Sequence, residues 1–176
     1  MNCCATDTSI GKTGSELGEA VPDNRSGAEP MTHRCRNCGR ESRPVSRKTV
    51  LLMLKPELLE KATTGTYGFC TAPDCPVAYF EEHGTGQFTS DDLRVRVGIK
   101  VKADPIPLCY CFGFDESHIR EEISQTGKTT IPDRISNLIR EGLCACEARN
   151  PSGVCCLGEV NRSATRLTER EISSRR

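Results

Sequence analysis

The 176-residue sequence contains no tryptophan, and aromatic residues make up only 5% of it. With a hydrophobic content of 36%, one large core is not expected. The most apolar run, residues 50–54, ends at a Lys-Pro pair and is far too short to span a membrane. Basic and acidic residues balance at 24 each, so overall charge gives no argument for a nucleic-acid partner.

Features of a secretory signal are also missing, since residues 1–30 lack a basic segment followed by an apolar stretch. We therefore expect a cytoplasmic protein, in which thiols stay reduced. Its 12 cysteines are the dominant compositional feature, and in a reducing compartment such clusters more often bind metal than form disulfides. The cysteines come in pairs and the three histidines are scattered, so no catalytic residues are predicted.

Changes in hydrophobic period divide the chain into four regions. Residues 1–32 are polar and aperiodic and predict a disordered arm. Residues 33–104 have strand-like patterns, most clearly the alternation over residues 93–102 and the shorter runs 49–54, 66–70 and 77–80. A Pro-rich break follows, residues 105–160 are helical in period, and residues 161–176 form a charged tail that is frayed or loosely helical.

Two helices are predicted in the second half. Asp115 can cap the first, over residues 116–126, and Gly127 can end it. Thr130 can cap the second, with Asp133 in its first turn and Gly142 at its end. The sequence thus predicts an α+β protein, with a small antiparallel β domain followed by a short two-helix domain.

The first group of cysteines has the spacing of a structural zinc site. Cys35 and Cys38 form a C-x-x-C knuckle before Gly39, and Cys70 and Cys75 supply a second pair after a predicted strand. Four thiolates from two turns favour tetrahedral zinc, which would stabilise a small β domain. His33 is close enough to Cys35 to substitute as a ligand, but beside Arg34 it is interpreted as a surface residue. His83 and His118 lack ligand spacing and are interpreted as solvent-facing.

The second group of six cysteines flanks the two predicted helices. Cys109 and Cys111 precede the first helix, whereas the other four follow the second: Cys144, Cys146, Cys155 and Cys156. An antiparallel helix pair brings both sets to one end, where a helix N-terminus can offset thiolate charge. Because C-x-C is less usual than C-x-x-C in structural zinc sites, this group favours an iron–sulfur cluster.

These motifs resemble the CopZ-type N-terminal module. The segments CYCFGF, REEI, TTIPDRI and CACEARNPSGVCC are similar to its 2Fe–2S domain, which is related to bacterioferritin-associated ferredoxin (BFD-like). The segments CRNCGR, YGFCTAPDCPVAYF and LRVRVG are similar to the zinc-binding domain that precedes it, so the resemblance covers residues 35 to about 158. It implies a zinc-stabilised β domain followed by a 2Fe–2S domain, with single-electron transfer.

The resemblance further implies cluster ligands, which are Cys109, Cys111, Cys146 and Cys156. The BFD-like pattern has a C-x-x-C second pair, whereas Glu147 stands three positions after Cys144. The choice between Cys144 and Cys146, and between Cys155 and Cys156, therefore stays open. Implied partners are proteins that handle copper or another soft metal, together with an electron donor that the sequence does not identify.

The sequence lacks the M-x-C-x-x-C motif of the soft-metal domain that copper chaperones resembling it can carry. Cys3 and Cys4 offer an alternative site for a soft ion such as Cu(I). Two other functions therefore stay open. One is a zinc-only interaction module, and the other is a soft-metal chaperone or scavenger without redox activity.

Overall fold

A four-stranded antiparallel sheet organises the first half of the chain in a computed structural model, which describes residues 34–174. Its strands follow one another in chain order: β1 (Ser42–Val45), β2 (Tyr67–Cys70), β3 (Val77–Glu81) and β4 (Gln87–Thr89). The predicted antiparallel region is confirmed. The arm up to residue 32, with Cys3 and Cys4, lies outside the described residues, and so does His33.

The first core cluster packs between this sheet and helix α1 (Arg47–Met53). The prediction of a strand over residues 49–54 is wrong, because this run forms most of α1. Ser46 caps the helix, its hydroxyl accepting the Thr49 N–H at 3.1 Å. Val50 and Met53 are buried three positions apart on one helical face. A short apolar run fits a buried helix as well as a buried strand, and here the cap decides.

The predicted strand over residues 93–102 is also not formed. Leu93 and Val97 are buried while Arg94 and Arg96 are exposed, as the alternation predicts. Ile99, Lys100 and Val101, however, are all half-buried, so the predicted contrast is lost beyond Val97. The backbone instead makes one bridge to Leu54 and then a 3₁₀ turn, Gly98–Lys100. The backbone N–H groups of this segment donate to acceptors that do not belong to a strand ladder. The Arg94 N–H, for example, donates to the Met53 carbonyl at 2.8 Å.

The second half opens with a hairpin, β5 (Pro107–Cys109) and β6 (Phe114–Asp115), which leads into helix α2 (Glu116–Thr126). The predicted bounds of this helix are confirmed. The Asp115 carboxylate accepts the N–H groups of Ser117 and His118, and Gly127 ends the helix at φ 77°.

Helix α3 (Ile131–Arg140) also forms where predicted, but its cap differs. Thr130 makes no side-chain cap, and the Glu122 carboxylate from α2 accepts the Thr130 N–H at 2.7 Å. The same carboxylate accepts the Thr129 hydroxyl at 2.8 Å. Glu122, eight positions before Thr130, thus accepts the N–H of the cap residue, the bond that a capping box assigns to the third helical residue, Asp133.

Two more helices complete the described chain, α4 (Cys146–Arg149) and α5 (Leu157–Ser174). The helical half is thus larger than the two helices predicted. The sequence predicts a loosely helical tail from residue 161, whereas α5 runs through it and buries Val160, Ala164 and Leu167 against α2 and α3. Among the described residues, no helix combines the length and apolarity needed to cross a bilayer.

Candidate metal centres

The first quartet, defined as Cys35, Cys38, Cys70 and Cys75, is assembled from two turns at one end of the sheet. The knuckle closes through Gly39, whose N–H donates to the Cys35 carbonyl at 2.7 Å and whose φ is 70°. Cys70 ends β2, and Cys75 lies in the turn before β3. The register of β1 on β2 pairs Ser42 with Cys70, which brings the knuckle beside the second pair.

The sulfur atoms of the first quartet match a single tetrahedral metal ion. All four Sγ atoms lie within 4.8 Å of one another. The Cys35 and Cys75 Sγ atoms are 3.9 Å apart, and those of Cys38 and Cys70 are 3.7 Å apart. Zinc–sulfur bonds of about 2.3 Å at tetrahedral angles place sulfurs about 3.8 Å apart. The donor set and its spacing therefore fit Zn²⁺.

Within the first quartet, burial raises the pKa of two thiols, whereas hydrogen-bond donors lower the pKa of a third. Burial raises the pKa of Cys35 and raises that of Cys70 to about 12. Burial also acts to raise the pKa of Cys75, but hydrogen bonds from the Asn37 side chain and the Val77 N–H outweigh it and lower this pKa to about 7. The Asn37 amide donates to the Cys75 Sγ at 3.3 Å. The site thus already holds donors directed at a thiolate.

Lys100 supports the turn of the first quartet, a role that sequence analysis missed. Its ammonium donates to the Ala72 carbonyl at 2.8 Å and to the Cys75 carbonyl at 3.0 Å, fixing the turn between the second pair of thiols. Its positive charge also lowers the pKa of Cys70 against the larger effect of burial. The sequence pattern placed Lys100 on a solvated strand face, and no spacing signal linked it to a turn 25 residues away.

The second quartet, defined as Cys109, Cys111, Cys146 and Cys156, is buried in the core of the helical half. The β5–β6 hairpin carries the first two cysteines, whereas Cys146 begins α4 and Cys156 immediately precedes α5. The N–H groups of Glu159 and Val160 donate to the Cys156 carbonyl, so Cys156 stands at the N-terminus of an 18-residue helix. The positive end of that helix favours thiolate charge there.

Hydrogen bonding joins the thiols of the second quartet. The Sγ atoms of Cys111 and Cys146 are 3.7 Å apart, and the Ala145 N–H donates to the Cys111 Sγ at 3.3 Å. Hydrogen bonding with Cys156 is the main reason that the pKa of Cys109 falls to about 7 and that of Cys146 to about 5. The same contacts raise the pKa of Cys156, and burial raises that of Cys111 to about 12. Two of the four thiols are therefore stabilised as thiolates near neutral pH.

Side chains from the sheet half fix the loop that carries Cys146 and Cys156. The Tyr79 hydroxyl donates to the Pro151 carbonyl at 2.7 Å, and the Thr49 hydroxyl donates to the Glu147 carbonyl at 2.7 Å. Within the loop, the Asn150 side chain accepts the Ser152 N–H at 3.0 Å and donates to the Val154 carbonyl at 2.7 Å. The loop is thus shaped by its own asparagine and anchored by α1 and β3.

Tyr110 anchors the C-x-C hairpin in the same way. Its hydroxyl accepts the Gly98 N–H at 2.8 Å and donates to the Arg96 carbonyl at 2.9 Å. Gly98 approaches so closely that a Cβ there would lie 1.9 Å from the Pro107 carbonyl oxygen. The segment predicted as a strand therefore acts as a link between the two cysteine groups.

The structure brings together both sets of cysteines that the sequence singled out as ligands. Of the alternatives, Cys144 is half-buried at the edge of the second core cluster and Cys155 is exposed, whereas Cys146 and Cys156 are each 3% exposed. His83 and His118 are solvent-facing, as predicted. Among the described residues, only the first quartet has ligand atoms close enough for a single metal ion.

Comparison with known proteins gives a family match for the region of the first quartet and a relative for most of the chain. Residues 32–94 match the CopZ zinc-binding family model, described as a zinc binding domain. The copper chaperone CopZ of Archaeoglobus fulgidus is 32% identical over 130 residues, which is 73% of this chain and 60% of that protein. The chain therefore spans about three-fifths of the relative's length.

The X-ray structure of the Archaeoglobus fulgidus CopZ N-terminal domain superposes with a TM-score of 0.61 at 32% identity. The match covers 73% of this chain and 95% of that domain. The four-cysteine site, the family match and the near-complete coverage of the solved domain agree. This chain belongs to the CopZ family, as a metal-binding protein whose residues 32–94 form the family's zinc-binding domain.

Proposed function

We propose that this chain carries a structural zinc ion on the first quartet and a 2Fe–2S cluster on the second, and that it transfers single electrons in the handling of copper or another soft metal. The observation that carries the proposal is the selective burial of four cysteines out of six. Cys109, Cys111, Cys146 and Cys156 meet inside one core cluster, and the two remaining thiols lie toward its periphery.

The surroundings of the second quartet suit a cluster held by four thiolates. The separation of Cys111 and Cys146, 3.7 Å, is that of two sulfurs on one tetrahedral metal. Cys156 is hydrogen-bonded to both Cys109 and Cys146, so hydrogen bonds link all four thiols, which supports one cluster held by all of them. When bound, a 2Fe–2S cluster accepts and returns one electron. The Ala145 N–H and the N-terminus of α5 would stabilise the reduced, more negative state.

Roles for the two halves follow from this arrangement. The first quartet closes a small sheet whose own core is limited, and zinc binding would add folding free energy there. Tyr79, Thr49 and Tyr110 then connect this half to the loops of the second quartet. The zinc half would thus hold the cluster ligands in place, while the second quartet would carry the redox function.

The link to copper rests on the relative. The Archaeoglobus fulgidus protein is named a copper chaperone, and this chain matches about three-fifths of it. We propose that this chain works with copper-handling proteins by supplying or removing electrons. Cys3 and Cys4, which lie outside the described residues, are proposed as a soft-ion site only in the alternative of a chaperone or scavenger without redox activity.

The test is anaerobic purification followed by measurement of iron, acid-labile sulfide and zinc per chain, together with the visible spectrum. We expect two iron, two sulfide and one zinc, and a red-brown protein whose colour is bleached by dithionite. Zinc alone, after attempted reconstitution with iron and sulfide, would contradict the cluster and favour a zinc-only interaction module.

A further inference from the structure

A groove with an apolar floor and a basic rim lies beside the second quartet. It encloses about 1200 Å³ between the segment 97–108 and helix α5, and both Cys155 and Cys156 line it. Half-buried apolar residues in its lining include Ile99, Ile106 and Pro107. The volume is above the range of ordinary small-molecule sites, which is about 300–1,000 Å³. Its size therefore fits part of a protein surface better than a small ligand.

The charge of the groove differs from that of the chain as a whole. The full sequence is neutral, with 24 basic and 24 acidic residues. The groove, in contrast, is lined by five cations and only two carboxylates, Glu116 and Glu159. The cations are Arg43, Lys102, Arg162, Arg166 and Arg170. Lys102 is paired with Asp74, so the excess that remains beside the apolar lining is two positive charges, which favour an anionic partner.

Three of these cations form a row on α5. Arg162, Arg166 and Arg170 are spaced four residues apart, so they share one face of the helix. Arg162 pairs with Glu159 at 2.5 Å, and Arg166 pairs with the buried Glu116. Within residues 34–174, Arg43 and Arg170 have neither an ion pair nor a hydrogen bond to their side chains. Both are exposed and available to a carboxylate.

We propose that this groove is the docking surface for an acidic protein that exchanges single electrons with the second quartet. The electron-transfer part rests on the function proposed above, whereas the docking part rests on charge and shape alone. A partner seated in the groove would lie against Cys156, one of the four proposed ligands, so the electron would pass over a short distance. Opposite charges would speed the encounter at low salt.

The docking part is tested on zinc-loaded protein with a fluorescent twelve-residue peptide of repeating Glu-Glu-Leu, whose acidic and apolar side chains match rim and floor. We expect binding that weakens roughly tenfold or more between low and physiological salt. The double variant R43Q/R170Q should bind at least about fivefold more weakly. The control K48Q/K128Q loses the same charge from exposed positions outside the groove and should bind like the unmodified protein.

Equal weakening in both double variants, or the absence of peptide binding, would overturn the docking surface. Citrate is included as a small anion: a citrate complex sensitive to R43Q/R170Q, without peptide binding, would replace the proposal with a small-molecule site. These readouts need no iron, so they separate failure of the groove from failure of the proposed cluster.

The electron-transfer part uses dithionite-reduced, iron-loaded protein in a stopped-flow mixer. Anionic cobalt(III)–EDTA takes one electron from the reduced protein and becomes cobalt(II)–EDTA. We expect its rate constant to fall at least about fivefold in R43Q/R170Q and to stay unchanged in K48Q/K128Q. The cation hexaamminecobalt(III) should react no more slowly with R43Q/R170Q. Equal rates for all three proteins with the anionic oxidant would overturn electron exchange through the groove.

Discussion

The hydroxyl of Tyr79 donates a hydrogen bond of 2.7 Å to the carbonyl of Pro151, 72 residues further along the chain. Tyr79 lies on β3, a strand that packs in the first core cluster, whereas Pro151 lies between the two later cysteines of the second quartet. Both residues are buried with under 2% of their surface exposed. One bond therefore connects the sheet that bears the zinc-binding turn to the loop of the second quartet.

Replacing Tyr79 with Phe should destabilise the protein. The ring would stay in place, but the buried Pro151 carbonyl would lose its donor, at a cost of about 1–3 kcal/mol in the free energy of unfolding. Urea denaturation of zinc-loaded protein measures this loss. Ser124→Ala is a matched control, because it removes an exposed side-chain-to-carbonyl bond of 2.8 Å and should change stability by less than about 0.5 kcal/mol. Equal losses in both variants would contradict a specific role for the Tyr79 bond.

Lys100→Gln should weaken zinc binding by about tenfold, the lower end of the range for residues that support metal ligands. The change removes a positive charge near Cys70 and shortens the side chain that holds the Ala72 and Cys75 carbonyls. Competition against a chromophoric chelator measures the affinity. Lys102→Gln is the control, since it loses the same charge two residues away, where the ammonium pairs with an exposed Asp74. If both variants bound zinc equally weakly, net charge rather than the turn contacts would be responsible.

Cysteine spacing predicted the composition of the first quartet, because local chemistry fixes it. A C-x-x-C turn followed by Gly39 needs no distant information, and the helix after Asp115 is likewise specified by its own cap and by Gly127. The resemblance then selected Cys146 and Cys156 over their neighbours, a choice that the spacing alone left open. Burial of these two side chains supports that selection.

Features that depend on distant partners escaped prediction. The alternation over residues 93–102 predicted which side chains are buried only as far as Val97. A strand also needs a neighbouring edge, and here the Gly98 N–H donates to Tyr110 instead. Thr130 makes no side-chain cap on α3, and its own N–H donates to Glu122 on another helix. Lys100 reaches the zinc-binding turn only because the chain folds back on itself.

Glu122 should make stability depend on pH in the acidic range. Burial acts to raise the pKa of its carboxyl, but hydrogen bonds from the Thr130 N–H and the Thr129 hydroxyl, with the charge of Arg134, outweigh burial and lower it. A carboxyl whose pKa is lower in the folded than in the unfolded state stabilises the fold above its unfolded pKa, about 4.3. That stabilisation is lost as the pH falls toward the folded pKa.

Glu122→Gln keeps an oxygen acceptor but removes a charge near the N-terminus of α3, so it should reduce the free energy of unfolding by about 0.3–1 kcal/mol at pH 7. The difference between the two proteins should shrink as the pH falls from about 5.5 to 3.5, because protonation then removes the same charge from Glu122. Denaturant titrations across this range measure it, and the comparison cancels any acid loss of zinc common to both. A difference that stays constant with pH would show that the Glu122 charge is not responsible.

The cysteines near residue 150 give the sharpest test of the proposed ligands. Cys146→Ser and Cys156→Ser should each abolish most of the visible absorption and lower bound iron below one per chain, since a serine oxygen replaces a buried thiolate of the second quartet. Cys144→Ser and Cys155→Ser are the matched controls, because each removes a thiol one or two positions away that is more exposed. These two variants should keep their iron, sulfide and spectrum.

Zinc content should stay near one per chain in all four variants, because the first quartet is unchanged. If Cys144→Ser or Cys155→Ser lost the visible absorption while Cys146→Ser or Cys156→Ser kept it, the ligands would have to be reassigned within the same loop. Loss of the absorption in all four variants would mean that the loop responds to any substitution and that burial does not identify the ligands.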